Sequence, residues 1–134
     1  MKHEFKFYEF KGNEKAELIA KLEEILLNDD EIIFAYLYGS FIEEREFRDI
    51  DLAIWLKNPK KAFQYTVNIS TKLQIKLNIP IDIHILNEAP LPFKYYVFTC
   101  GKLIHSKNEG FRIEIVNQTL RMYFDLKHLY ENSK

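Results

Sequence analysis

Two aspartates that are two residues apart, Asp49 and Asp51, open an apolar stretch that reads DIDLAIWL. In a β-strand this spacing points both side chains to the same face, because successive side chains alternate between the two faces. Two neighbouring carboxylates repel each other, and a hard divalent cation with oxygen ligands relieves that repulsion. The pair therefore predicts a metal site at the beginning of a strand.

A Gly39-Ser40 turn ends the preceding apolar stretch, residues 31–38, and is separated from Asp49 by eight residues. Glycine permits the unusual backbone angles of a tight turn, and backbone N–H groups together with a hydroxyl suit a phosphate. A cation site beside a phosphate-binding turn is the chemistry of a nucleoside triphosphate site.

The stretch PIDIHIL at residues 80–86 alternates between apolar and polar side chains, which is typical of a half-buried strand. Its isoleucines share one face, and Asp82 and His84 share the other. Asp82 is therefore the candidate for a third carboxylate beside Asp49 and Asp51. His84 lies either near the cation and nucleotide or on an ordinary polar face of the strand.

The rest of the chain supplies the elements that position these side chains. Apolar and alternating stretches predict strands, and apolar residues at helical spacing predict helices. The predicted strands cover residues 31–38, 49–56 and 80–86, with a small strand at 102–106, and the predicted helices cover residues 14–28, 58–77 and 109–130, with a short helix within 87–100. Together they predict an α+β fold with a small mixed sheet, helices mainly on one face, and a long C-terminal helix.

Two asparagines are expected to cap helices. Asn13 precedes the first predicted helix, and Asn58 precedes Pro59 at the start of the second,. The candidate core contacts of the second helix are Ala62, Phe63, Val67, Ile69, Leu73 and Leu77.

Composition limits the classes of function. The chain has 134 residues and a formal net charge of −1, which predicts a single domain over residues 1–134 and gives no electrostatic case for direct nucleic-acid binding. One cysteine, Cys100, excludes an internal disulfide and fits a reducing, cytoplasmic compartment,. The absence of a signal peptide and of a long apolar run predicts no membrane partner.

The pattern of Gly39-Ser40, eight residues and DIDLAI resembles the signature of the minimal nucleotidyltransferases, which share the polymerase-β palm. The resemblance implies the palm fold, with ATP as substrate and Mg²⁺ as cofactor, bound as one ion or as a pair. It also implies that Asp49, Asp51 and Asp82 hold the metal and take part in catalysis. Gly39 and Ser40 would then hold the terminal phosphates.

The sequence departs from that family at three points. The connector between the turn and the acids is shorter than usual, and Arg48 stands before the first aspartate where the family commonly has serine. The Arg-Gly pair that commonly follows Gly-Ser is replaced by IEER at residues 42–45. Either Arg45 or Arg48 could supply the missing guanidinium to the nucleotide.

Three glutamates in the connector, Glu43, Glu44 and Glu46, are unfavourable neighbours for a polyphosphate, because like charges repel at short range,. They are compatible with nucleotide binding only if the tip of the connector points to solvent.

Two later stretches, IDIHILNEAPLPFKYYVFTCGKLIHS and FRIEIVNQTLRMYFDLKHLY, resemble the antitoxin branch that is paired with HEPN-domain toxins. This resemblance implies transfer of AMP from ATP to a tyrosine of a HEPN partner, which silences the partner's RNase activity within a hetero-oligomer. A first alternative is a palm-fold binding module that neutralises the HEPN partner by occlusion, and the acidic connector favours it. A second alternative is a small-molecule nucleotidyltransferase.

Overall fold

The computed structural model of the chain describes residues 7–10, 12–44 and 46–133. The strands along these residues are β1 (Tyr8–Glu9), β2 (Ile32–Tyr38), β3 (Glu46–Phe47), β4 (Ile50–Leu56), β5 (Ile81–Ile85) and β6 (Lys102–Ser106). The α-helices are α1 (Glu14–Leu27), α2 (Ser40–Glu43), α3 (Ala62–Gln64), α4 (Ser70–Leu77), α5 (Leu91–Cys100) and α6 (Glu109–Asn132).

Four strands form the central sheet in the order β5-β4-β2-β6. β2 lies antiparallel to both β4 and β6, whereas β4 and β5 are parallel. A parallel pair needs a long crossover, and residues 57–80 supply one that is largely helical,. β1 and β3 form a separate antiparallel ladder. The mixed sheet and the long helix α6 confirm the predicted α+β class.

Hydrophobic clusters cover both faces of the central sheet. On one face, Leu52 of β4 belongs to a cluster with Leu22 of α1 and Leu73 of α4. On the other face, Ala53 belongs to a cluster with Val97 of α5. The sequence predicted helices mainly on one face, whereas the structure has a second helical layer, α5 and α6. The cause is that β2 is apolar on both faces, so each face needs a covering layer.

The helix predicted over residues 58–77 starts as expected but is not continuous. The side chain of Asn58 accepts a hydrogen bond from the backbone N–H of Lys60, at 3.1 Å, which confirms the predicted cap. The chain then passes through a 3₁₀ turn (Pro59–Lys61), α3, a π-helical segment (Tyr65–Ile69) and α4.

The π-helical segment changes which residues of this crossover face the core. A π-helix has more residues per turn than an α-helix, so side chains within this segment and just before it leave the α-helical stripe. Phe63 and Val67, which were predicted core contacts, are 75% and 44% exposed. Leu73 is buried as predicted, and Tyr65 is buried in place of the two exposed residues.

Tyr65 ties this crossover to the turn before β2. Its hydroxyl lies 2.8 Å from each carboxylate oxygen of Asp29. Asp29 also accepts a hydrogen bond from the backbone N–H of Glu31, at 2.9 Å. Burial raises the pKa of Tyr65, and the hydrogen bond to Asp29 raises it further. Tyr65 therefore remains a hydrogen-bond donor throughout the ordinary pH range.

The two long helices begin differently. The side chain of Asn108 caps α6 by accepting a hydrogen bond from the backbone N–H of Phe111, at 3.1 Å. Asn13 was predicted to cap α1, but its side chain makes no capping hydrogen bond. Its backbone carbonyl accepts a hydrogen bond from the N–H of Glu17, at 2.9 Å. Within the described part of the chain, no helix combines the length and the hydrophobicity needed to cross a bilayer.

We expect Tyr65→Phe to lower the free energy of unfolding by about 1–2 kcal/mol, because it removes a hydrogen bond to a charged group. Urea unfolding of the purified protein measures this change. Tyr95→Phe is the matched control, since the Tyr95 ring stacks on Tyr123 and needs no hydroxyl for that contact. Equal losses of stability in the two variants would show that the contact with Asp29 contributes nothing.

Candidate active site

Asp51 and Asp82 lie side by side on the parallel strands β4 and β5. The register pairs their Cα atoms directly, so both side chains leave the same face of the sheet. Asp51 is half-buried, whereas the Asp82 side chain is 58% exposed. One ligand atom each from Asp51, Asp82 and His84 lie within 4.8 Å of one another. The structure thus brings together acids that come from separate stretches of the sequence.

Asp49 lies one residue before β4, in a bend that it shares with Arg48. The strand predicted over residues 49–56 begins at Ile50, so strand alternation does not fix the direction of the Asp49 side chain. Asp49 is half-buried, and its negative charge acts on Asp51. It is not among the three residues whose ligand atoms lie within 4.8 Å of one another.

Gly39 provides the space that the Asp51 carboxylate occupies. It directly follows β2, whose last residue, Tyr38, is the Cα partner of Asp51 in the antiparallel pair. Its backbone angles, φ 80° and ψ −157°, belong to a region that essentially only glycine adopts. A Cβ atom at this position would lie 2.5 Å from Asp51 Oδ2. Glycine is therefore required here both for the turn and for the approach of the carboxylate.

The electrostatics of this cluster favour a bound cation. Burial raises the pKa of Asp51 from its ordinary value of 3.8 to about 6, and the negative charges of Asp49 and Asp82 add to this shift, while His84 opposes it. A positive ion between the carboxylates would relieve the repulsion and replace lost hydration. Carboxylate oxygens with a neighbouring imidazole nitrogen are a donor set that divalent metal ions accept. These residues therefore fit a divalent metal ion.

An aromatic cluster lies against the acids. Tyr38 is buried, and its ring contacts those of His84, Phe93 and Tyr96 edge-on, with centroids 5.9, 5.4 and 6.0 Å away. Burial raises the pKa of the Tyr38 hydroxyl, and the charge of Asp51 raises it further. Tyr38 is thus a neutral side chain that joins the acids of the sheet to helix α5.

The Gly39-Ser40 turn is connected to α5 through a tyrosine. The Tyr96 hydroxyl donates a hydrogen bond to Glu43 Oε1, at 3.1 Å. Burial and Glu43 raise the pKa of the Tyr96 hydroxyl, and the nearby backbone of Gly39 opposes this shift. Ser40 is the first residue of the short helix α2 and is half-buried. The turn predicted to bind phosphate therefore lies directly against α5.

The three glutamates of the connector, Glu43, Glu44 and Glu46, are all exposed. From α1, Lys15 Nζ holds the connector by donating hydrogen bonds to the backbone carbonyls of Phe41 and, at 2.9 Å, Glu44.

Of the two arginines predicted to contact the nucleotide, Arg48 is exposed in the bend before β4. Arg45 lies outside the described residues. The nucleotide contacts of both remain predictions.

Sequence reasoning found part of this site and missed part of it. The polar–apolar alternation of residues 80–86 correctly put His84 on the face of Asp82. Tyr96 was missed, because it lies 53 residues from Glu43 along the chain. α5 reads LPFKYYVFTC, which is apolar or aromatic at most positions and gives no periodicity from which an inward face could be predicted.

We expect Gly39→Ala to lower the free energy of unfolding by about 3 kcal/mol, since it adds backbone strain and a collision with Asp51. Gly12→Ala is the matched control: Gly12 also has a positive φ, 60°, but a Cβ there meets nothing within 4 Å, so its cost should be about 1 kcal/mol. Urea unfolding gives both values. Equal costs would mean that the contact between Asp51 and Gly39 imposes no steric demand.

The pKa of Asp51 gives a stability prediction for the metal-free protein. Because this pKa is raised on folding, from 3.8 to about 6, the stabilising contribution of the proton is complete below pH 3.8 and is lost as the pH rises through about 6. Asp51→Asn has no such loss. As the pH rises from 3.8 to about 6 in EDTA, the free energy of unfolding of wild type should therefore fall relative to that of Asp51→Asn. The expected difference is about 1 kcal/mol after allowance for solvent screening of a half-buried group.

Thermal or urea unfolding at several pH values measures this difference between Asp51→Asn and wild type. Asp125→Asn, which changes an exposed carboxylate on α6, is the control and should run parallel to wild type. A stability difference for Asp51→Asn that is constant across the pH range would contradict the assignment.

Solved structures that share this fold include three toxin–antitoxin complexes. A tri-AMPylated HEPN toxin of Shewanella oneidensis in complex with MNT antitoxin contains a chain with 21% identity, a TM-score of 0.70, and coverage of 88% of this chain and 93% of that chain. The toxin–antitoxin MntA-HepT gives 20% identity, a TM-score of 0.69, and coverage of 87% and 93%. A toxin–antitoxin with AMP-PNP gives 23% identity, a TM-score of 0.68, and coverage of 87% and 92%.

At these identities the likeness shows a common fold. No curated protein sequence matches the chain significantly. The sequence model of one family, described as polymerase beta, nucleotidyltransferase, matches residues 20–110. This match spans the turn, the acids on β4 and the acid on β5, and it covers more than half of the chain. The chain therefore belongs to the polymerase beta nucleotidyltransferase family.

Proposed function

We propose that this chain is a Mg²⁺-dependent nucleotidyltransferase that transfers AMP from ATP to a tyrosine of a HEPN-domain partner and releases pyrophosphate. The observation that carries the proposal is the direct pairing of Asp51 with Asp82 on neighbouring strands, beside the Gly39-Ser40 turn. Family membership gives the class of reaction, and the fold likeness to antitoxins solved with HEPN toxins supports a HEPN protein as the acceptor.

The three acids would have two roles, which are binding of the cation and removal of a proton. Asp49 and Asp51 would hold Mg²⁺ against the triphosphate, and Asp82 would share the ion and accept the proton of the attacking hydroxyl. The bound ion supplies charge neutralisation at the phosphates and lowers the pKa of that hydroxyl. Asp82 suits the side of the acceptor because its side chain is the more exposed of the paired acids.

In the transfer step, the tyrosine oxygen of the acceptor forms a bond with the α-phosphorus of ATP. The bond from that phosphorus to the bridging oxygen breaks, and the electron pair leaves with pyrophosphate. The tyrosine proton moves to the Asp82 carboxylate. Rate enhancement then comes from positioning and charge compensation.

The turn and the arginines would bind the leaving part of the nucleotide. Ser40 and the backbone around Gly39 would hold the terminal phosphates, with Arg45 and Arg48 as candidate guanidinium donors. The exposed position of Glu43, Glu44 and Glu46 supports this assignment, because water screens their charges from a polyphosphate.

The acceptor class is drawn from the structural relatives. One of them is a tri-AMPylated HEPN toxin bound to its MNT antitoxin, and another toxin–antitoxin holds AMP-PNP, a non-hydrolysable relative of ATP. These complexes support AMP as the transferred group and a HEPN protein as the acceptor, in a hetero-oligomer with this chain.

A second candidate function is inhibition of the HEPN partner by occlusion, without transfer. The hydrogen bond between Tyr96 and Glu43 favours it, because this contact holds a carboxylate and helix α5 beside the Gly39-Ser40 turn, where the phosphates would bind. The two functions differ in whether silencing of the partner depends on the acids.

We expect incubation with ATP, Mg²⁺ and the HEPN protein of the neighbouring reading frame to add the mass of AMP to a tyrosine of that protein. Asp51→Asn and Asp82→Asn should each slow this transfer about a thousandfold, which corresponds to several kcal/mol of barrier for a lost metal ligand. Intact-protein mass spectrometry over time gives the rates, and peptide fragmentation identifies the tyrosine.

Asp125→Asn on α6 is the control and should transfer AMP at the wild-type rate. If the partner is silenced equally by wild type and by an Asp49→Asn/Asp51→Asn double variant, and no AMP is found on it, inhibition by occlusion replaces transfer. Addition of AMP to an aminoglycoside or another small molecule, with none on the HEPN protein, would move the chain to the small-molecule enzymes.

A further inference from the structure

His84 lies close enough to the paired acids to share an ion with them. The β4–β5 register pairs Ala53 with His84, immediately after the pair of Asp51 and Asp82 along the same face. His84 Nε2 is 2.9 Å from Asp82 Oδ2. A His84 nitrogen and one carboxylate oxygen from each aspartate lie within 4.8 Å of one another, so a single ion placed among them could contact all three side chains.

Two aromatic rings hold the imidazole in this orientation. The Tyr38 ring contacts it edge-on, with centroids 5.9 Å apart and an interplanar angle of 71°. The Phe93 ring approaches from α5, with centroids 5.7 Å apart and an angle of 44°. Tyr38 and Phe93 also contact each other. The ring therefore loses little further freedom when an ion binds, which favours binding.

The His84 ring is held but remains accessible. Its side chain is 42% exposed and that of Asp82 is 58% exposed, so an ion reaches this edge of the sheet from solvent without a change of the fold. A histidine that served only to pack β5 would have no need to direct a nitrogen at a carboxylate of the site.

An imidazole nitrogen changes which metal the site prefers. Mg²⁺ takes oxygen ligands in a strict octahedron and keeps much of its water. Transition-metal ions accept imidazole more readily, and Mn²⁺ accepts carboxylates as well. We propose that His84 is a direct ligand of the ion held between Asp51 and Asp82, and that it shifts the preference of this site from Mg²⁺ towards Mn²⁺.

This inference rests on the proposed use of Asp51 and Asp82 as metal ligands, but it is independent of the acceptor. It departs from the three-carboxylate set that the sequence resemblance implies, since the nitrogen takes a ligand position beside the acids. Asp49, which precedes β4, would contribute from the side of the triphosphate.

The test measures metal binding directly, without turnover. Titration of the metal-free protein with Mn²⁺, followed by the electron paramagnetic resonance signal of free Mn²⁺, gives the Mn²⁺ affinity, and competition with Mg²⁺ gives the preference. His84→Gln should weaken Mn²⁺ binding by about tenfold or more and change Mg²⁺ binding by much less, so that the preference for Mn²⁺ falls. Electron spin-echo spectroscopy should detect ¹⁴N coupling to Mn²⁺ in wild type and not in His84→Gln.

Three further variants keep the outcome clear. His84→Phe retains an aromatic ring between Tyr38 and Phe93 and removes the nitrogen, so it should behave like His84→Gln if coordination is the cause. His128→Gln, at an exposed histidine of α6, should bind both metals as wild type does. Asp51→Asn should weaken both metals together.

The role of His84 alone would be overturned if His84→Gln kept the Mn²⁺ preference of wild type and wild type showed no ¹⁴N coupling, while Asp51→Asn still lost affinity for both metals. The metal site of the proposed function would then stand, and His84 would be only a hydrogen-bond partner of Asp82. Wild-type affinities in Asp51→Asn would instead remove the metal site itself, and with it both the proposed function and this inference.

Discussion

The close approach of the Asp51 carboxylate to the backbone at Gly39 is the contact on which the site depends. Antiparallel pairing of β4 with β2 puts Asp51 opposite Tyr38, so its carboxylate must lie against whatever follows Tyr38. Only a residue without a Cβ leaves that space. The Gly-Ser turn and the aspartate are therefore one steric unit, although the connector separates them along the chain. β5 then adds Asp82 to the same face through parallel pairing with β4.

The two faces of the sheet have different roles in holding this unit. The face covered by α1 and α4 contains most of the buried aliphatic side chains and fixes the strands. The face covered by α5 and α6 is rich in aromatic residues, and its cluster reaches the acids through Tyr38. Large rings with few rotatable bonds are ordered at a low entropic cost. They suit a position where the orientation of a neighbouring histidine and two carboxylates has to be maintained.

The parts of the fold that the sequence predicted are those that depend on short stretches of neighbouring residues. Strands β2, β4 and β5 follow from short apolar or alternating stretches, and alternation alone placed Asp82 and His84 on one face. The exposure of Phe63 and Val67 was not predictable, because the residue that is buried in their place, Tyr65, makes its contact with Asp29, which is 36 residues away along the chain. A tertiary contact of this kind overrides the helical period of the segment that makes it.

The candidate site shows the same division. The spacing of Asp49, Asp51 and Asp82 indicated a cluster of acids, but it could not show that the strand starts after Asp49 or that a histidine nitrogen would be nearer the other two acids. The contact of Tyr96 with Glu43 joins α5 to α2, which are 53 residues apart at this contact. Local pattern thus predicts which face a strand residue occupies, whereas the partners that approach that face are set by the packing of distant elements.

The charge of the site determines what it can bind. Asp49, Asp51 and Asp82 place negative charge in one corner of a protein whose formal net charge is only −1, and the raised pKa of Asp51 is the direct result of burial and of that crowding. A free nucleoside triphosphate would be repelled here. Under the proposed function, a triphosphate that arrives with a divalent cation would bring the positive charge that the carboxylates lack, so the cation would be a condition of binding as well as of catalysis. The connector glutamates are compatible with the site because they are exposed, and water therefore screens their charges. The acids that would bind the ion are instead held close together.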